Sequence, residues 1–258
     1  MEKERIALLI DVENIPHKYY ESIEDEMLRK GNIIIKRAYG NWKDQKLNNW
    51  EKILIPNAIS PIQISRYVQG KNSSDIALVI DAIDIIYSQK VDAICLVTSD
   101  SDFTRLATRI RQDNIKVYGV GEKNKVVDSL IKACDEFLFV ENLQSNQILK
   151  DQPEEGRKEG NTGKDMMQYI ANINNLESEI IKLIDDSLDG HLKLSTIGSL
   201  LKKKYPQFDV RSYEERKLSD LVMKMKRLEV DTITQEVKVK KKVAKKQNIK
   251  NKTKKDLI

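Results

Sequence analysis

Asp100 and Asp102 stand two residues apart in CLVTSDSDFTRL (residues 95–106), directly after apolar and small residues with the character of a buried strand. Asp11 ends a second such run, LLIDVENIP, and Asp75 falls in the first turn of a helix expected over 73–88. Two carboxylates about 4 Å apart repel by about 4 kcal/mol at an effective dielectric of about 20. The helix dipole returns only about 0.3–1 kcal/mol to an acid in a first turn. Converging acids therefore call for positive charge among them. With two histidines in the chain, a metal would take oxygen ligands, which points to Mg²⁺ or Mn²⁺. Such a centre orients a water, lowers its pKa and stabilises charge building on a phosphate. Asn14 is spaced to bond a ligand or to orient a carboxylate, and Ser99 and Ser101 to bond a phosphate oxygen. Taken alone, the Asp100/Asp102 pair fits a turn and a helix N-cap equally well; Asp11 and Asp75 are not explained so simply.

Bringing these acids together is a task for the elements around them. IALLIDV (6–12), NIIIKRAYG (32–40), VDAICLVTS (91–99), IKVYGVG (115–121) and EFLFV (136–140) read as strands, with a further short one at 62–66. Helical patterns alternate with them at 17–30, 44–54, 73–88, Phe103 to Ile110 and Val127 to Cys134. That alternation predicts an α/β fold with a parallel sheet covered on both faces and right-handed crossovers. Ligands of such sheets bind beyond the carboxyl ends of the strands, so the acids converge if strands 6–12 and 91–99 are neighbours. In the helix over 73–88, capped by Ser73 or Ser74, the expected stripe is Ile76, Val79, Ile80, Ile83 and Tyr87. Asp81 lies away from that stripe, in a solvated or structural role. Leu78 and Ile85 share its side, a further apolar surface for which a homo-oligomer contact is one use.

Residues 1–143 thus form one domain, and 144–172, polar with three glycines and a mixed charge cluster, read as a linker. At 173–240 three short helical patterns, marked by Ile180, Ile197 and Leu221, precede the alternating EVDTITQEVKVK, which predicts a winged helix-turn-helix with a two-stranded ribbon. The net charge of +5 hides an asymmetry: residues 237–258 carry ten lysines and one aspartate, leaving −4 on the rest. The tail, 241–258, suits contact with a polyanion. Cys95 and Cys134 form no paired motif and read as reduced core thiols. No run approaches the roughly 18–20 apolar residues of a membrane span, and MEKERIALLIDVEN lacks the features of a signal peptide, so a cytoplasmic protein without membrane contact is expected. A P-loop and a complete dinucleotide-binding glycine motif are missing. With only His17 in the first domain, Ser/His/Asp nucleophilic chemistry is disfavoured.

LLIDVENIP, GKNSSDIALVIDAIDIIY and VDAICLVTSDSDFTRLATRIRQDNIKVYGVG, in that order over about residues 4–142, resemble the NYN domain of the PIN-like nucleases. The resemblance implies a parallel-sheet fold and metal-dependent cleavage of RNA phosphodiesters, with the acidic ligands falling on Asp11, Asp75, Asp100 and Asp102. It offers Lys71 of the GKNSSD block, and Arg105 and Arg109 of the following helix, as phosphate contacts. Similarly, STIGSLLKKKYPQFDVRSYEERKLSDLVMKM (195–225) resembles the LOTUS, or OST-HTH, domain, which implies RNA binding or docking of a protein partner. Family members commonly carry glycine where this chain has Glu214. Lys202, Lys203, Lys204, Arg211, Arg216 and Lys217 make that unit basic, with Lys203 and Arg211 singled out for RNA; Tyr205, Phe208 and Tyr213 are either base-stacking or core residues. The expected activity is metal-dependent endoribonuclease, in which a metal-activated water attacks the phosphodiester in line. A catalytically inactive RNA-binding adaptor is the alternative, and a phosphatase-like enzyme acting on small phosphoesters a third.

Overall fold

The computed structural model describes residues 3–64, 73–143 and 172–240. Lys71, the segment 144–171 that makes up nearly all of the expected linker, and the basic tail 241–258 lie outside the described residues.

Six strands form the N-terminal sheet: β1 (Glu4–Asp11), β2 (Gly31–Gly40), β3 (Ser60–Gln63), β4 (Ala93–Val97), β5 (Lys116–Gly121) and β6 (Glu136–Phe139). Their order is β3-β2-β1-β4-β5-β6, and every neighbouring pair is parallel. The helices between them are α1 (Tyr20–Lys30), α2 (Asn48–Leu54), α3 (Ser73–Tyr87), α4 (Thr104–Gln112) and α5 (Asp128–Ala133). From β1 the chain steps outward to β2 and β3, then crosses by way of α3 to β4 on the other side of β1. Strand order therefore reverses between β1 and β4, which opens a crevice at their carboxyl ends. The expected strand at 62–66 begins earlier, and that at 91–99 stops at Val97, because Thr98 and Ser99 turn their side chains to other work.

Side-chain alternation along β1 splits the core in two. Ile6, Leu8 and Ile10 pack with Tyr20, Ile23 and Met27 of α1 and Trp50 of α2. Ala7 and Leu9 pack with Leu78 and Ile85 of α3, and with Phe103, Leu106 and Ile110. Both faces are covered, which is why β1 and β4 read as unbroken apolar runs. Trp50 Nε1 donates to Ile15 O at 3.0 Å and pins the loop that follows Asp11.

α3 buries the side opposite to the expected stripe. Ile76, Ile80 and Tyr87 are 61%, 58% and 72% exposed, while Leu78, Ala82, Ile85 and Ile86 are buried on the sheet. Val79 and Ile83 are partly buried. The helix is apolar on both sides, so spacing alone does not choose its face. On the buried side Asp81 accepts hydrogen bonds from Arg37 Nη1 and Tyr39 Oη of β2. Asp81 is thus a structural anchor.

The C-terminal unit comprises α6 (Ile173–Asp185), β7 (His191–Lys193), α7 (Leu194–Lys204), α8 (Leu218–Met223), β8 (Leu228–Val230) and β9 (Glu236–Val239). Its core joins Leu176, Ile180 and Ile184 to Ile197, Leu201, Leu221 and Val237. The expected two-stranded ribbon is a three-stranded antiparallel sheet in the order β7-β9-β8, because the three-residue β7 is too short to show alternation. β7 runs straight into α7, so neither Ser195 nor Thr196 starts that helix, and Lys193 at the cap position makes no side-chain cap bond. Tyr205 and Phe208 are buried, and Phe208 packs against Tyr213 with ring centroids 6.3 Å apart.

Glu214 has φ of 63° and ends the short helical turn Val210–Tyr213 in the left-handed region. That conformation costs a non-glycine residue about 1–2 kcal/mol, part of which glycine loses again through its freer unfolded chain. Glu214→Gly is therefore expected to stabilise the C-terminal domain by about 0.5–1 kcal/mol, read as a higher melting temperature; a lower one would show that Glu214 side-chain contacts dominate.

Candidate metal centre

β1 and β4 pair in register from Ile6↔Ala93 to Ile10↔Val97, so Asp11 and the loop 98–102 leave the sheet side by side. Asp11 is buried, 2% exposed. Its Oδ2 accepts from Asn14 Nδ2 at 2.5 Å and from Thr98 Oγ1 at 3.0 Å, and its Oδ1 accepts from Glu13 N at 3.3 Å. Burial pushes the Asp11 carboxyl up, against the lowering effect of these three donors. Thr98 Oγ1 also accepts from Asp100 N at 3.1 Å, so one buried hydroxyl ties Asp11 to the start of the acidic loop.

Asp100 caps the turn Ser101–Phe103: its Oδ1 accepts from Asp102 N at 2.9 Å. The cap thus falls on Asp100, with Asp102 in the first turn, and it coexists with the site. The cap holds the two carboxylates at one end of the turn, and the first turn of α3 delivers Asp75 to them. Carboxylate oxygens of Asp75, Asp100 and Asp102 lie within 4.8 Å of one another, two of the residues half-buried and Asp102 exposed. Asp11 stands beside this trio, outside it. Burial, followed by the charges of Asp11, Asp100, Asp102 and Glu13, raises the Asp75 carboxyl from 3.8 to about 6. The four acids thus share one electrostatic environment.

The other expected site residues fall as follows. Asn14 orients Asp11. Ser99 is buried and its Oγ accepts from Glu122 N at 2.9 Å, which ties the loop to the end of β5. Gly121 permits that approach, since a Cβ there would lie 2.9 Å from Thr98 O. Ser101 is exposed at the turn, and Arg105 is exposed one turn into the helical segment. Arg109 pairs with Asp113. Lys203 is exposed on α7, whereas Arg211 is held by Asp209 and Glu26. Thr98 and Glu13 were not among the expected site residues. Their signal was adjacency: each lies within two residues of a site aspartate, but neither type is a strong motif by itself.

The fold and this acid cluster over its switch point define the class: an α/β protein of the PIN-like nuclease type carrying a small winged helix-turn-helix. The sequence matches the NYN domain over residues 5–143 and the OST-HTH/LOTUS domain over 172–239, and the chain belongs to the NYN family. An uncharacterised protein of Methanocaldococcus jannaschii, MJ0482, is 26% identical over 173 residues, covering 60% of this chain and 68% of its own. The crystal structure of VPA0982 of Vibrio parahaemolyticus, a protein of unknown function, shares 27% identity and a TM-score of 0.45 over 54% of this chain and 93% of its own. Among the described residues no helix is long and apolar enough to cross a membrane.

Proposed function

We propose that this protein is a cytoplasmic endoribonuclease dependent on Mg²⁺ or Mn²⁺, and that its C-terminal domain and basic tail hold the RNA. The observation that carries this reading is the trio of carboxylate oxygens within 4.8 Å. That donor set, all carboxylate oxygen with Asp75 raised toward neutrality by burial and then by its acidic neighbours, fits a hard divalent cation. Asp75, Asp100 and Asp102 would hold it, with Asp11 beside them. Bound there, the cation would supply positive charge among the acids and Lewis acidity toward phosphate oxygen and water. The chain's own part is positional. Asn14, Thr98 and the Glu13 amide fix the Asp11 carboxylate, and Thr98 passes that order to Asp100. Arg105 and Ser101 are exposed beside the acids to meet phosphate, with Lys71 the further candidate from the sequence. The test is cleavage of end-labelled single-stranded RNA with Mg²⁺ or Mn²⁺ and its loss in EDTA. Binding without cleavage under any divalent ion would make the protein an adaptor instead.

The tail gives a separate expectation. Residues 241–258 carry eight lysines and one aspartate, and Lys238 and Val239 belong to β9, so a clean deletion begins at 241. Each lysine on a single-strand phosphate adds about 0.7 to the slope of log affinity against log salt. Removing 241–258 should flatten that slope by several units; an unchanged slope would assign the phosphate contacts elsewhere.

A further inference from the structure

The two domains meet at β6, the edge strand of the large sheet. Phe137 N donates to Pro206 O at 2.9 Å, so the loop after α7 covers part of an edge that would otherwise face solvent. Charges close around that bond. Arg211 Nη1 reaches Glu26 Oε2 of α1 at 3.1 Å, while its Nε and Nη2 bond the Asp209 carboxylate at 2.6–2.9 Å. Lys202 Nζ of α7 and Lys30 Nζ of α1 converge on Glu136 Oε1, each at 2.9 Å. Asn142 Nδ2 donates to Ser212 Oγ at 2.8 Å. Side chains of Arg211, Glu26, Asp209 and Glu136 are 17%, 12%, 10% and 13% exposed, too dry for these charges to part freely. Burial pushes Glu26 and Glu136 up, but the cations beside them outweigh it and hold both carboxyls below their ordinary value.

We propose that this interface locks the two domains into one rigid unit, with Arg211 and Lys202 as positioning residues that fix where RNA held by the C-terminal domain meets the acid trio. The proposal rests on the nuclease reading for its consequence, not for its geometry. A domain joined only by a flexible tether of roughly 30 residues would range over about 30 Å and scatter the cut over many nucleotides. A docked domain instead measures a set distance from the bound feature to the cut. Arg211 and Lys202 are thereby spent on the interface, while Lys203, Lys217 and Lys238 remain exposed for phosphate.

The experiment uses the full chain with spin labels at Glu51→Cys and Asp189→Cys, both exposed sites, the native Cys95 and Cys134 being buried. One narrow distance peak is expected for the parent protein. Lys202→Ala with Arg211→Ala should move the docked-to-free ratio about tenfold or more and broaden the peak. Arg211→Lys, which keeps the charge on Glu26, should stay narrow; Lys202→Ala alone serves if Arg211→Ala fails to fold. In parallel, an RNA hairpin followed by a uniform single-stranded arm should be cut in a narrow window by the parent and over a wide one by the double variant. A broad parent peak overturns the proposal. A cut window that stays narrow while the distances broaden overturns the positioning role. If the parent cuts nothing, the nuclease reading fails, and the distances alone decide whether the domains dock.

Discussion

Asp100→Asn is expected to lower the single-turnover rate of RNA cleavage by about 10³-fold or more, with fold and RNA affinity retained. Asparagine caps a helical turn as well as aspartate does, so the bond to Asp102 N that shapes the loop survives. What disappears is one of the three anionic oxygens that would hold the cation. A factor of about 10³ corresponds to about 4 kcal/mol of transition-state stabilisation, the scale of a lost charge at a metal-assisted site. RNA affinity should not fall, because the substitution removes negative charge from a surface that meets phosphate. The outcome that defeats the nuclease reading is an Asp100→Asn protein that cleaves at the parent rate. Parallel loss of cleavage and of thermal stability would leave only a structural role for Asp100.

Asp75→Asn carries the second large effect, and it separates site electrostatics from activity. In the absence of divalent ions the substitution is expected to stabilise the protein at pH 7 by about 1–2 kcal/mol, after discounting for solvent screening. The sign follows from linkage. The folded protein keeps the Asp75 proton to about pH 6, whereas the unfolded chain releases it near 3.8. Below about pH 3.8 both states are protonated and the two proteins should be equally stable. Between about 3.8 and 6 the parent loses stability as pH rises, and above about 6 the cost is complete. Mg²⁺ or Mn²⁺ should then raise the melting temperature of the parent more than that of Asp75→Asn, which lacks one of the acids. Chemical unfolding from pH 3.5 to 8, with EDTA and with divalent ion, checks both statements. A variant less stable than the parent at pH 7 in EDTA would show that burial and neighbouring charge do not penalise the Asp75 carboxylate.

The two tests probe different links. Asp100 asks whether the trio does chemistry; Asp75 asks whether its charge costs stability in EDTA. A protein that passed the second and failed the first would have a cation site without cleavage, and the adaptor reading would then gain.

Much of this molecule was legible in its amino acids. Strands that must be apolar on both faces announce themselves as unbroken runs, and helices between them as a change of period, so the parallel sheet followed from pattern. Asp11 was identifiable as an acid ending a buried strand, whereas Asp100 and Asp102 fitted a turn and a cap equally well and gained weight only from Asp11 and Asp75. The winged unit was legible for the same reason, except for β7, whose three residues carry too little pattern. The order of the strands, by contrast, was decided only in three dimensions. Adjacent residues do not encode that β1 lies beside β4, which is the arrangement that gathers the acids. The face of α3 was also decided there. Two apolar sides make its spacing degenerate, and the side that meets the sheet is the one where Asp81 bonds Arg37 and Tyr39, residues more than forty positions away. Arg211 shows the same division: its charge was plain, but whether it meets a phosphate or Glu26, 185 positions distant, depends on how the domains pack. Local chemistry is written residue by residue, while partners are settled by the free energy of the whole fold.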